Sequence, residues 1–253
     1  MSIQEATKLL VAFLDVLQKK QSTLDPKALG VESKAFGAAL CWLADAWHLC
    51  LFLSWLPFFY VLLLIVFNGL GANPTEAFHL FTGIWSLRLL CITLMITPIQ
   101  TITGWRGMAA YRQLFGLMSF FYAALHVYGY LSIDLGLIGS VIARDIVETP
   151  YLWPGIFAFV ILILLAITSP KAGKKLLGKN WKRLHRWIYV GSLAVILHYV
   201  MQLKGNLADP LLYGLLLMVL FAFRGGVWIR NRKLVRLMIP RVRKLGVDAE
   251  EGG

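Results

Sequence analysis

The stretch Lys182-Arg183-Leu184-His185-Arg186-Trp187-Ile188-Tyr189-Val190-Gly191-Ser192-Leu193-Ala194-Val195-Ile196-Leu197-His198-Tyr199 decides how the rest of the chain is read. It is a basic ramp running into an apolar helix, with His185 and His198 thirteen residues apart, about 20 Å along a helix axis. Imidazoles on a lipid-buried helix are rare and costly, and they mark sites. His126 is the one other histidine well inside an apolar segment.

Working outward, composition sets the class. Apolar residues make up 58% of the 253 residues and the mean hydropathy is +0.69, above the roughly 45–50% apolar content of soluble domains. The chain reads as a polytopic membrane protein. Its net charge of +12 lies in short segments between apolar runs, as the positive-inside rule requires. No basic nucleic-acid fold accompanies the charge, so nucleic acid is excluded as a partner. Cys41, Cys50 and Cys91 show no CxxC or zinc-like spacing and read as small packing residues. Glu5 and Asp15 interrupt the first twenty residues, which do not read as a cleavable signal.

Ala6, Leu9, Leu10, Phe13, Leu14 and Leu17 recur at helical spacing, so an amphipathic helix is expected there, on the membrane surface or as a solvated extension. Residues 21–37 read as a polar linker. Six apolar spans follow, at about 48–68, 78–98, 113–133, 152–169, 185–203 and 210–229, each near the ~20 residues a bilayer needs. The expected organisation is a cytoplasmic extension (1–46), an all-α bundle of six transmembrane helices (47–230) and a basic tail (231–253). Residues 169–186 hold seven Lys or Arg and no acid, whereas 132–151 hold Asp134, Asp145 and Glu148 against Arg144. Both termini are therefore expected in the cytoplasm. Ile138, Val141, Ile142 and Ile146 predict a short amphipathic helix in the outer loop, either a docking surface or a plain interfacial helix.

With that orientation, His126 on the third span and His198 on the fifth fall at nearly the same depth. Paired imidazoles from facing helices can hold a b-type heme by axial ligation; the alternative is a histidine hydrogen-bonded to a neighbouring helix. Zinc is less suited, for want of third and fourth ligands at that depth. His185 lies nearer the cytoplasm and would mark an inner redox level. Fourteen residues before His126, where a matching imidazole is expected, stands Arg112, and His48 is the candidate second ligand to an inner heme. On a straight helix His185 and His198 point about 140° apart, so both facing the bundle requires a bend or different partners. His79 reads as a solvated or helix-start residue. Arg88, about mid-membrane, is assigned to a heme propionate or to a buried ion pair.

Gly71-Ala72-Asn73-Pro74, Ile96-Thr97-Pro98, Arg112-Gln113-Leu114-Phe115-Gly116, Leu125-His126, Ile167-Thr168-Ser169 and the run Leu177 to Tyr189 together resemble the MsrQ family (also called YedZ), over about Pro57 to Arg230. These are heme-binding membrane subunits within the ferric-reductase-like transmembrane group. The resemblance implies heme b, one or two per chain, bound by His126, His185 and His198. It also implies a periplasmic molybdopterin-containing methionine sulfoxide reductase as partner, and electrons from the quinone pool or a cytoplasmic flavin reductase. FMN binding and location in the bacterial inner membrane are further implications.

The leading expectation is a b-type cytochrome passing electrons outward. No Gly-rich dinucleotide fingerprint is present, so donor and substrate chemistry belong to partners. A proton-coupled transporter using the histidines, or a non-redox anchor, is the alternative; inverted repeats and interrupted helices would favour the transporter. Electrons are expected to enter near His185, where Arg106, Arg112, Lys182, Arg183 and Arg186 would suit an anionic flavin phosphate or an acidic flavoprotein. Those same cations suit anionic membrane lipids.

Overall fold

A computed structural model describes residues 34–105, 107–203, 205 and 207–250, with side-chain detail confined to residues 46–230. Among these residues all the regular structure is helical: α1 (Lys34–Val66), α2 (Pro74–Thr103), α3 (Met108–Gly129), a π-helical turn (Tyr130–Asp134), α4 (Gly139–Glu148), α5 (Leu152–Ile167), α6 (Lys171–Leu177), α7 (Lys179–His185), α8 (Ile188–Gln202) and α9 (Ala208–Glu250). The expected amphipathic helix within the first twenty residues, Arg106, and the side chains of Cys41 and of the basic tail lie outside the described detail.

Local chemistry explains the boundaries. Asn73 caps α2, its Oδ1 accepting from the Glu76 N–H at 3.3 Å, and Pro74 takes the first position, where its missing N–H costs nothing. Gly104 ends α2 in the left-handed region at φ 71°. Gly178, at φ 50°, separates α6 from α7. The outer-loop helix expected around residues 138–146 is present as α4.

Four stretches are long and apolar enough to cross a membrane: Ala46–Val66, Pro74–Thr103, Met108–Asp134 and Ala208–Arg230. The pair α4 and α5, bent by 114°, makes a fifth if counted as one span. Two expectations are corrected here. Helix α1 begins at Lys34, inside what the sequence reading takes as linker. The expected span 185–203 is not one helix, because the Arg186 and Trp187 N–H groups close turns onto Arg183 and Leu184 and α8 starts only at Ile188. His185 thus belongs to α7.

Packing is most extensive between α2 and α3 and next between α5 and α8. One buried cluster joins α1, α2 and α3 through Trp47, Leu89, Ile96, Leu114, Met118 and Tyr122. Another joins α2 and α9 through Leu87, Leu90, Cys91, Leu94, Leu217 and Leu220, with Ile188, Val195 and Ile196 of α8 packed against it. Cys91 is buried and Cys50 half-buried, both as free thiols, in keeping with a packing role. The bundle has two chemically distinct ends. Glu76, Asp134, Asp145, Glu148 and Asp209 cluster where α2, α5 and α9 begin, while α6, α7 and the start of α3 carry the lysines and arginines at the other.

Candidate functional site

His126, in the last turn of α3, and His198, near the end of α8, meet close to the acidic end. Their ring centres are 6.2 Å apart and the ring planes cross at 85°. His126 Nδ1 donates to the His79 carbonyl at 3.1 Å, and His198 Nδ1 to the Tyr151 carbonyl at 2.7 Å. A carbonyl can only accept, so Nδ1 carries the proton in both neutral rings and each Nε2 keeps its lone pair. Fixing the tautomer through the second nitrogen is how proteins prepare an imidazole for a metal. Gly83 on α2 and Gly155 on α5 make room: a Cβ would fall 3.3 Å from His126 Nδ1 and 2.8 Å from His198 Nδ1.

The two half-sites are one local structure built twice. Tyr151, Gly155 and His198 follow His79, Gly83 and His126 at one interval (151 − 79 = 155 − 83 = 198 − 126 = 72). At that interval His79-Leu80-Phe81-Thr82-Gly83-Ile84 matches Tyr151-Leu152-Trp153-Pro154-Gly155-Ile156, and Thr97-Pro98 matches Ser169-Pro170. Ser86 and Ser119, whose hydroxyls donate to each other's carbonyls at 2.9 Å where α2 meets α3, correspond to buried Ala158 and Gly191 on α5 and α8. Small residues let both helix pairs approach closely. Helices α2 and α5 run from the acidic to the basic end, and α3 and α8 return, so the hairpins are parallel copies and not inverted ones. Sequence reasoning overlooked this repeat, although the Leu-aromatic-x-Gly-Ile match was legible in it.

Above the histidine pair lies a polar cluster. The π-helical turn brings Asp134 Oδ2 within 2.8 Å of His79 Nε2, off the N–H axis, so the nitrogen has no hydrogen-bond partner of good geometry. The His79 ring stands edge-on to His126 at 5.6 Å. Of the two expectations for His79, its place near the start of α2 holds and the solvated one is corrected: its side chain is largely covered and faces Asp134. Tyr130 OH donates to Asp145, which also accepts from Thr149 Oγ1 at 3.0 Å. Burial, and then the charges of Asp145 and Asp134, push the Tyr151 phenol up, so it stays protonated beside His198.

At the basic end His185 stacks on Trp181 with ring centres 4.0 Å apart, and its Nε2 lies 3.1 Å from Thr168 Oγ1. Trp181 Nε1 donates to the Thr168 carbonyl at 2.9 Å. Gln113, twin of His185 at the same interval, donates from Nε2 to the Ser169 carbonyl at 3.4 Å. Thus Gln113, one residue beyond Arg112, occupies the position of a matching imidazole. Arg112 lies within electrostatic reach of Arg224, Tyr189 and His185. His48 is exposed on α1 against Trp47, beside a surface depression lined by Leu51, Phe52, Trp55 and Phe59; its ring contact is with Trp47, not with His185. Arg88 is held by Tyr213 OH at 3.0 Å and sits over Trp85 at 5.0 Å. Neither of these contacts is with an acid. No group of three or more His, Cys, Asp or Glu able to hold a metal occurs among the described residues.

Residues 82–196 match the family model described as "Ferric reductase like transmembrane component". That stretch takes in His126 and His185 and stops two residues short of His198. The chain is 40% identical over 163 residues to a protein of Xanthomonas campestris pv. campestris (strain B100) named "Protein-methionine-sulfoxide reductase heme-binding subunit MsrQ", covering 64% of this chain and 74% of the relative. Proteins of the same name from Brucella anthropi (37% over 169 residues, 66% and 76% covered) and Bordetella pertussis (38% over 171 residues, 67% and 83% covered) are similar. The chain belongs to the MsrQ family. No solved structure matches it.

Within this MsrQ-family chain, the structure unites His126 and His198 and sets His185 apart in its own helix. What sequence reasoning missed are the parts without chemistry of their own: the carbonyls of His79 and Tyr151, and the two glycines. Carbonyls leave no trace in a side-chain pattern. The glycines did leave one, at the shared interval.

Proposed function

We propose that the chain is a six-span b-type cytochrome of the bacterial inner membrane, with both termini cytoplasmic. It carries electrons from quinol or a cytoplasmic flavin reductase to a periplasmic, molybdopterin-containing methionine sulfoxide reductase. In this reading α5 and α8 are the two short spans. The observation that carries the proposal is the His126–His198 pair with both Nδ1 atoms anchored. An imidazole–metal bond of about 2.0 Å on each side of one iron sets the two ring centres roughly 6 Å apart, and 6.2 Å is found. The separation fits a heme iron that would be held between His126 and His198, and such a heme would supply a one-electron redox centre. The chain's own residues fix the rings, hold their tautomers and, through Gly83 and Gly155, leave the pocket space to accept them.

His185 is the candidate ligand of a second, inner heme; Gln113 in the twin position and exposed His48 give it no second imidazole. Acids at one end and cations at the other support placing the histidine pair toward the periplasm and His185 toward the cytoplasm. The test is a visible spectrum of the purified protein before and after dithionite, with heme counted per chain. His126→Ala and His198→Ala should remove the same heme, and His185→Ala a different population. Absence of a Soret band, or loss of all heme in His185→Ala while His126→Ala keeps it, would overturn the reading.

A further inference from the structure

We infer that Arg224 is a positioning residue: it takes over the Leu94 carbonyl that Pro98 leaves without its helical donor, so that α2 runs on past the proline, and with the same guanidinium it fixes the first turn of α8. In an α-helix each carbonyl accepts from the N–H four residues on, and proline has none to give. Pro98 stands inside α2, which nevertheless continues to Thr103. The donor it lacks is the one owed to Leu94. Within a membrane span no water stands by, so a freed carbonyl needs a donor from the protein. Arg224, inside α9, supplies it: Nη2 donates to the Leu94 carbonyl at 2.6 Å. Its Nη1 donates to Tyr189 OH, and the guanidinium carbon lies 5.2 Å over that ring. Tyr189 is in the first turn of α8, just beyond the break at Arg186–Trp187. One half-buried guanidinium, whose planar fork meets both acceptors at fixed angles, therefore ties α2, α8 and α9 together at the basic end.

The repeat holds the matching case without the arginine. Pro170 is the twin of Pro98 at the same interval (170 − 98 = 72). There the carbonyl four residues back, that of Ala166, accepts from the Ser169 N–H at 3.2 Å. Helix α5 has already ended at Ile167, and the chain is extended at Pro170, with φ −62° and ψ 160°. The same proline thus follows the end of one helix and is passed by the other. What differs is the donor: Arg224 reaches the Leu94 carbonyl from another helix, whereas the Ala166 carbonyl is closed by its own chain. Helix α9 lies outside the repeat, and holding α2 through its proline is a task that neither hairpin performs for itself. The positive-inside rule accounts for a cation at this end, but it sets no partner, whereas Pro98 does. None of these bonds involves His126, His185 or His198, so they stand apart from the heme reading.

The test is hydrogen exchange of the full-length protein in detergent, read by mass spectrometry, on a double-mutant cycle of Pro98 and Arg224. Arg224→Leu should speed exchange of the amides at 99–103 by about tenfold and leave those of α3 unchanged. Pro98→Ala returns an N–H to the Leu94 carbonyl, so adding Arg224→Leu to it should change that exchange by less than about twofold. Arg224→Lys should fall between wild type and Arg224→Leu. Tyr189→Phe should loosen residues 188–192 and leave 99–103 as they are. If Arg224→Leu does not fold, recovery of a folded protein in the Pro98→Ala/Arg224→Leu double variant carries the test, since an arginine needed for packing alone is not rescued by a change on another helix. An equal rise at 99–103 in both backgrounds, a rise spread evenly over all helices, no rise at 99–103 in Arg224→Leu, or a double variant that stays unfolded would each overturn the inference.

Discussion

Replacing Gly155 by Ala tests the histidine pocket without touching a ligand. In an ordinary helix the change stabilises by about 1 kcal/mol, since Gly is a poor helix former. Here the new Cβ would lie 2.8 Å from His198 Nδ1, 3.0 Å from Cε1 and 3.2 Å from Cγ. Ordinary contact begins near 3.4 Å, so the ring must retreat by at least about 0.6 Å, enough to stretch and weaken the short 2.7 Å bond to the Tyr151 carbonyl. Overpacking costs roughly 1–3 kcal/mol and weakening a bond worth about 1 kcal/mol adds to it, so strain outweighs the helix gain. Disturbing the group that orients a metal ligand typically costs 10–100-fold in affinity. At the twin position Gly83→Ala meets the His126 ring at 3.3 and 3.4 Å, which about 0.1 Å of movement relieves, and the result should be neutral to within about 1 kcal/mol. The assay is heme per polypeptide together with thermal unfolding in detergent, both variants in parallel. Equal losses, or a larger loss in Gly83→Ala, would refute the geometry on which the ranking rests.

Three further outcomes follow from other contacts. In Gly173→Ala the Cβ would meet the Thr168 backbone at 2.8 to 3.0 Å, which cannot yield as a side chain does; α6 should shift, and the Trp181 fluorescence that reports its Thr168 bond should change while heme at the His126–His198 pair is kept. Tyr122→Phe removes the buried bond to the Ser54 carbonyl at 2.8 Å and should lower unfolding stability by about 1 kcal/mol in a detergent melt, with no change in the visible spectrum. Photocrosslinkers in α4, whose Val141 and Val147 are exposed, should capture the periplasmic reductase; crosslinks confined to α6 and α7 would refute docking at the acidic end.

Much of the architecture was legible because membrane helices are written in hydrophobicity and charge. The apolar runs located α2, α3 and α5 to within about five residues and the start of α9 to within two, although α9 runs on to Glu250 through the expected basic tail, and the charge ramp marked the basic end. The break at Arg186–Trp187 was not legible, because the residues around it are apolar or helix-forming and the turn is set by how α7 packs on the end of α5 through Trp181, His185 and Thr168. The start of α1 was missed for a related reason: polarity separates membrane from water, but it does not separate helix from linker in water. At the site, His126 and His198 were paired from depth alone, which succeeds because two antiparallel-strung hairpins fix axial height. His79 was misjudged because its partner, Asp134, arrives through a π-helical turn that no short-range pattern announces.

The repeat shows where the chain's two halves share a task and where they part. Histidine, glycine and the small residues at the helix crossing recur in both halves, so the pocket between them is close to two-fold and in itself has no direction. Direction has to come from the departures. At one end His79, facing Asp134, replaces the phenol of Tyr151 in the twin position; at the other His185, stacked on Trp181, replaces the amide of Gln113. The first departure adds an anion-linked imidazole at 5.6 Å from His126, and the second adds an aromatic-backed imidazole among cations. An electron is held more weakly beside carboxylates than beside arginines and lysines. On the proposed reading the acidic field and the two Nδ1-anchored imidazoles act in the same direction, both weakening the hold on an electron at the end where it is to be delivered.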